Sequence, residues 1–104
     1  LQVLKNLLYA KEPIQKIFIT LYGHFKKLYI TKIAINEKLN IAESLNLKPN
    51  QTFLVNKYTM QSKYFKEAEL RKLLQEFIDL DYKSKSGAID LNVGLEAVLC
   101  RYCS

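Results

Sequence analysis

Asp79-Leu80-Asp81-Tyr82-Lys83-Ser84-Lys85-Ser86-Gly87-Ala88-Ile89-Asp90 reads as a junction between two helices, and the rest of the chain falls into place around it. Acidic residues give way to lysines as the first helix ends, which complements the partial negative charge of a helix C-terminus. Gly87 supplies the left-handed residue that commonly closes a helix, and Asp90 offers a side-chain oxygen to cap the next one. Asp81 and Lys85 are spaced i, i+4 with the acid first, the favourable order for a helical ion pair. Asp81 also falls on the helical arc of Leu70, Leu74 and Phe77. That spacing predicts a carboxylate turned toward the core and in need of a firm partner.

Upstream of the junction, Lys66-Glu67-Ala68-Glu69 opens a helix with acid in its first turn, as the helix dipole prefers. Leu70, Leu73, Leu74, Phe77 and Ile78 carry its apolar face. Downstream, Leu91, Leu95, Val98, Leu99 and Tyr102 mark an amphipathic helix running to the C-terminus. Further back, the longest helical pattern runs from Pro13, suited to a first helical position, to about Ile35. Ile14, Ile17, Phe18, Leu21, Tyr22, Phe25, Leu28 and Tyr29 cover a wide apolar arc, and Lys16, Thr20, Lys27 and Thr31 form the opposite polar strip. Between the two lies a narrower stripe of Ile19, Gly23 and Ile30. It touches either a neighbouring helix of the same domain or another subunit, with Gly23 permitting close backbone approach.

The remaining segments also read as helix. Leu1, Leu4, Leu7 and Leu8 suggest a helix to about Ala10, broken by Lys11-Glu12-Pro13. Asn36-Glu37-Lys38 is a polar break with Asn36 a plausible cap, and a short helix follows near Leu39–Leu45. Pro49 restarts the chain into a helix that reaches about Phe65 and is expected to bury Phe53, Leu54, Tyr58, Tyr64 and Phe65. No segment alternates with period two. With 3 Gly and 2 Pro among 104 residues, turn signals are too few for a many-stranded β fold, which needs one every ~8–12 residues. The expectation is one all-α domain, a bundle of about five to six helices spanning residues 1–104. Its start, in mid-pattern and without Met, suggests a piece of something longer.

The formal net charge is +6, from 16 basic and 10 acidic residues, with Arg71 and Arg101 the only arginines. A nucleic-acid reader more often carries arginine, whose planar fork matches phosphates and base edges, and these lysines are spread along the chain. No apolar run reaches the ~18 residues of a membrane span, and no signal peptide is recognisable. Cys100-Arg101-Tyr102-Cys103 is a lone CxxC. Zinc would need two further ligands, and the only histidine, His24, lies on a distant helix. A reduced cytosolic protein suits this cysteine usage better than a disulfide scaffold. His24 has no nucleophile or carboxylate partner in sequence, and no phosphate-binding or metalloprotease motif occurs. The reading assigns no catalytic, cofactor or metal residues, and no small-molecule substrate.

One nucleic-acid alternative has a local basis. Ile41–Leu47 followed by a helix resembles a helix-turn-helix, in which Thr52, Asn56, Thr59 and Lys63 would face the major groove. That face offers a single cation and no arginine, and any two packed short helices produce the same pattern.

An ordered series of short pieces points elsewhere. It begins with Leu7-Leu8 and Glu12-Pro13-Ile14, continues through Phe25-Lys26-Lys27-Leu28, Ile41-Ala42 and Leu45-Asn46-Leu47-Lys48-Pro49, then Lys57-Tyr58 and Gln61-Ser62-Lys63-Tyr64-Phe65, and closes with Asp81, Lys85-Ser86-Gly87, Asp90 and Leu95-Glu96. At these spacings, essentially the whole chain resembles the C-terminal domain of the delta subunit of bacterial DNA polymerase III, of the clamp-loader family. Lys66 departs from the family's frequent Ser or Thr at that position, and Gly23 stands where a better helix former is expected.

The resemblance implies a cytoplasmic collar domain; the residue reading adds Asp81, Lys85 and Gly87 as the structural corner before its last helix and the Ile19, Gly23 and Ile30 stripe as candidate subunit interface. It implies association with the C-terminal domains of the delta-prime and tau/gamma subunits in a five-membered ring above the AAA+ modules. Contact with DNA would come only through the complex, and with a membrane not at all. ATP binding, clamp opening and polymerisation would belong to other parts of the holoenzyme.

Overall fold

A computed structural model describes residues 13–103. The helix expected over Leu1–Ala10, the break at Lys11-Glu12 and the side chain of Cys103 lie outside the described residues. Within them the chain is all-helical. Helix α1 spans Ile14–Asn36, α2 Ile41–Ser44, α3 Leu54–Ser62, α4 Glu67–Lys85 and α5 Leu91–Cys103, with a 3-10 turn at Pro49–Gln51. No helix among them is long and apolar enough to cross a membrane.

The chain divides into two compact units. In the first, which takes α1 up to Gly23 and the chain from Lys72 onward, the buried side chains include Ile17, Phe18 and Leu21 of α1, Leu73, Phe77 and Leu80 of α4, and Leu95, Val98 and Leu99 of α5. Phe18 and Phe77 tilt against each other with ring centroids 5.2 Å apart, and Tyr22 flanks Phe77 at 6.1 Å. Emptying the Phe77 position would cost ~3–5 kcal/mol, since its ring is fully buried. Arg101 near the end of α5 forms an ion pair with Glu76 of α4. In the second unit, His24–Arg71, Phe25 meets Phe65 edge to face at 5.8 Å, with Leu28, Ala34, Tyr58 and Leu70 also buried.

Three helix ends close by the same device, a carbonyl near the end accepting from a backbone N–H five residues on while an intervening residue adopts a left-handed conformation. After α4 that residue is Gly87, at φ 80°, and the N–H of Ala88 donates to the Lys83 carbonyl at 2.9 Å. After α1 it is Lys38, and the N–H of Leu39 donates to the Ala34 carbonyl. After α2 it is Asn46, with the N–H of Leu47 donating to the Ala42 carbonyl. The Gly87 closure matches the reading of the sequence; the Lys38 closure has no glycine to announce it.

Several expectations are corrected. The cap between α1 and α2 is Asn40, whose side chain accepts from the Glu43 N–H at 3.0 Å, whereas Asn36 is the last residue of α1 and its amide donates to Glu67. The segment after Pro49 is a 3-10 turn and then a nine-residue helix, not one helix to Phe65. Tyr58 and Phe65 are buried there, but Phe53 and Tyr64 are exposed because the break in the helix turns them outward. Ile78 is likewise exposed. Thr31, placed on the polar strip by its type, is fully buried; its hydroxyl donates to the Lys27 carbonyl one turn back, which satisfies it without water. Lys66 needs no hydroxyl to open α4, because the Glu69 carboxylate accepts from the Lys66 N–H at 2.9 Å, the reciprocal half of a capping box.

Candidate functional site

The corner at the end of α4 is formed by Asp81, Lys85, Gly87 and Asp90. Lys85 Nζ lies 3.1 Å from the Asp81 carboxylate one turn back. Gly87 reverses the chain, and the Asp90 side chain accepts from the Asn92 N–H at 3.3 Å to start α5. The orientation of Asp81 is different from the expectation. Its side chain is 44% exposed, at the rim of the core and not in it, and Lys85 is more open still. An ion pair in that setting is screened by solvent and contributes ~0.3–0.5 kcal/mol.

Beside the corner lies an open groove of about 500 Å³. Phe18 and Ile19 of α1 line one wall, Asp81 and Lys85 of α4 another, and Ile89 and Asp90 its end. The sequence treated Ile19 and the corner as separate features; the first unit brings them together. Ile19 is 68% exposed, a large apolar side chain next to an ion pair and open to solvent. Exposed apolar surface with a charged rim is the ordinary composition of a protein–protein contact.

Gly23 and Ile30 follow Ile19 at i+4 and i+11, on the same face of α1, but neither lines this groove. A Cβ added at Gly23 would meet nothing within 4 Å, so no other part of the described chain packs closely against this glycine. Within the chain the close approach to a glycine is at Gly94 of α5, which the sequence reading missed. A Cβ built there would overlap Leu80 Cδ1 and lie 3.4 Å from Ile89 Cδ1. A glycine inside an amphipathic helix next to Leu95 was the available signal.

The face proposed for DNA reading does not acquire its partner helix. Thr52, Asn56 and Lys63 are exposed, but α2, the expected first helix of the pair, is a single turn of four residues. Cys100 is exposed and free. His24 is half-buried against Tyr58, with ring centroids 6.1 Å apart. Burial, reinforced by the positive charges of Lys57 and Lys27, lowers its pKa below the ordinary histidine value.

A family model described as DNA polymerase III delta subunit, C-terminal domain, matches residues 1–102. No curated protein and no solved structure matches the chain. The family match covers nearly the whole sequence. The chain therefore belongs to the family formed by the C-terminal domains of DNA polymerase III delta subunits, components of the replicative clamp loader.

Proposed function

We propose that this chain is an assembly domain, holding the delta subunit in the five-membered collar of the clamp loader while sliding clamps are loaded onto DNA. The observation that carries the reading is the family match over residues 1–102. In this reading the chain acts as a single helical domain in the cytoplasm, part of a longer subunit with AAA+-like modules. Its neighbours are the C-terminal domains of delta-prime and tau/gamma. It performs no chemistry and meets DNA only through the assembled complex.

The exposed Ile19 and the groove beside it support an interface on the first unit, because a large apolar side chain gains most when a partner covers it. Mixing the chain with the C-terminal domains of delta-prime and tau/gamma, followed by size exclusion, tests the assembly role. The expected result is co-elution at micromolar concentrations with all three components present. Separate elution of this chain from the assembled partners would remove the reading.

A further inference from the structure

Lysines spread along a sequence can converge in space, and one such meeting lies in the second unit. His24 and Lys27 stand one turn apart on α1, and Lys57 and Tyr58 are adjacent on α3. Lys27 Nζ sits over the Tyr58 ring, 5.9 Å from its centroid, and the His24 ring meets the same tyrosine at 6.1 Å. Lys27 and Lys57 are exposed, and neither forms an ion pair with a carboxylate among the described residues. The position thus holds an ammonium group and an imidazole against one aromatic ring, with a second exposed lysine, Lys57, next to that tyrosine in the chain.

We propose that His24 and Lys27, which both meet the Tyr58 ring, form together with the adjacent Lys57 a binding site for a phosphate oxyanion. Each of the three groups donates hydrogen bonds when protonated, and a phosphate supplies the acceptor oxygens and negative charge that the cluster lacks. Tyr58 holds Lys27 in place through its ring face and limits the side-chain freedom lost on binding. The site resides wholly in the second unit and does not depend on the assembly reading. Its ligand is either free phosphate, which leaves the proposed function as it stands, or the phosphodiester backbone of a nucleic-acid strand, which would replace the indirect contact with DNA proposed above by a direct one.

His24 makes the proposal measurable, because it is the only histidine in the chain. Burial, and after it the two lysines, oppose its protonation; an anion seated beside it favours protonation, and by linkage the anion binds more tightly once the imidazole is charged. The experiment is a proton NMR titration of the single imidazole in the whole chain. It is run in chloride, in inorganic phosphate and with a short oligodeoxythymidylate, all at matched ionic strength so that simple screening cancels.

The expected result is an upward shift of the His24 midpoint with phosphate, the oligonucleotide or both, absent in the double variant Lys27→Gln/Lys57→Gln. A shift with the oligonucleotide alone assigns the site to a nucleic-acid backbone, and a shift with phosphate alone assigns it to the free anion. Midpoints equal to that in chloride, or a shift that persists in a folded double variant, overturn the proposal. Lysine at positions 27 and 57 is exposed, so the variant is expected to keep its helical circular dichroism, which is checked first.

Discussion

Gly23 and Gly94 both sit inside helices, yet replacing each by alanine is expected to act with opposite sign. At Gly23 a Cβ meets open space, so alanine brings only its better helix propensity, a gain of ~0.5–1 kcal/mol. At Gly94 the same gain is outweighed by overlap with Leu80, a buried side chain with little room to turn, and overpacking of this kind costs ~1–3 kcal/mol. Thermal melts of the two variants should move up and down respectively; a rise for Gly94→Ala would show that Leu80 repacks freely. His24 makes a pH-dependent contribution at the same scale. Its pKa is lowered in the folded state, so the unfolded chain binds the proton more readily. Its stability contribution is complete above the unfolded value of 6.5 and is lost as pH falls from there through the lower folded pKa. Urea denaturation at neutral pH and near pH 5 should show the native chain losing more stability than His24→Gln; equal losses would assign the acid sensitivity to other groups.

At the scale of elements, the helix ends hold the testable energetics. Gly87→Ala forces a Cβ into the left-handed region at φ 80° and should cost ~1 kcal/mol. Lys38 occupies the equivalent place after α1 at φ 57°, so Lys38→Gly should stabilise by a similar amount, less the entropy that glycine adds to the unfolded chain. Asp81→Ala should cost no more than about 0.5 kcal/mol, because its partner and its own carboxylate are both open to solvent. Chemical denaturation of the three variants orders them, and a loss at Asp81 as large as that at Gly87 would put the carboxylate back in the core. The same elements show why part of the fold was legible in the sequence. The long apolar arcs of α1 and α4, the glycine after α4 and the aspartate before α5 are local signals, set by helical periodicity and backbone stereochemistry. Asn40 as cap, Glu69 reaching back to Lys66 and Lys38 in a left-handed turn each choose between chemically equivalent neighbours. Residue type alone does not settle such a choice. Phe53 and Tyr64 were misplaced because aromatic character predicts burial only if the helix continues, and it stops at both ends.

For the molecule as a whole, the question is which surface is meant to be covered. Local spacing put Ile19, Gly23 and Ile30 on one face of α1, but the groove beside Ile19 depends on where α4 and the Asp90 turn arrive, which is tertiary information. The grouping of His24 and Lys27 with Lys57 and Tyr58 was hidden for the same reason, since the two pairs lie far apart in sequence. If the face of α1 is an assembly surface, Ile19 is the residue to change, because its side chain is 68% exposed and a lysine there is solvated at little cost. Ile30 is half-buried, and a lysine there would disturb the fold as well. Ile19→Lys should therefore melt within about 0.5 kcal/mol of the native chain while losing co-elution with the delta-prime and tau/gamma domains. Gly23→Ala adds an independent check on the same face: it stabilises the isolated chain, and it weakens association only if a partner backbone approaches Gly23 closely. Full association of both variants would move the interface off this face of α1, leaving the exposed Ile78, Tyr82 and Val93 of the first unit as the next residues to charge.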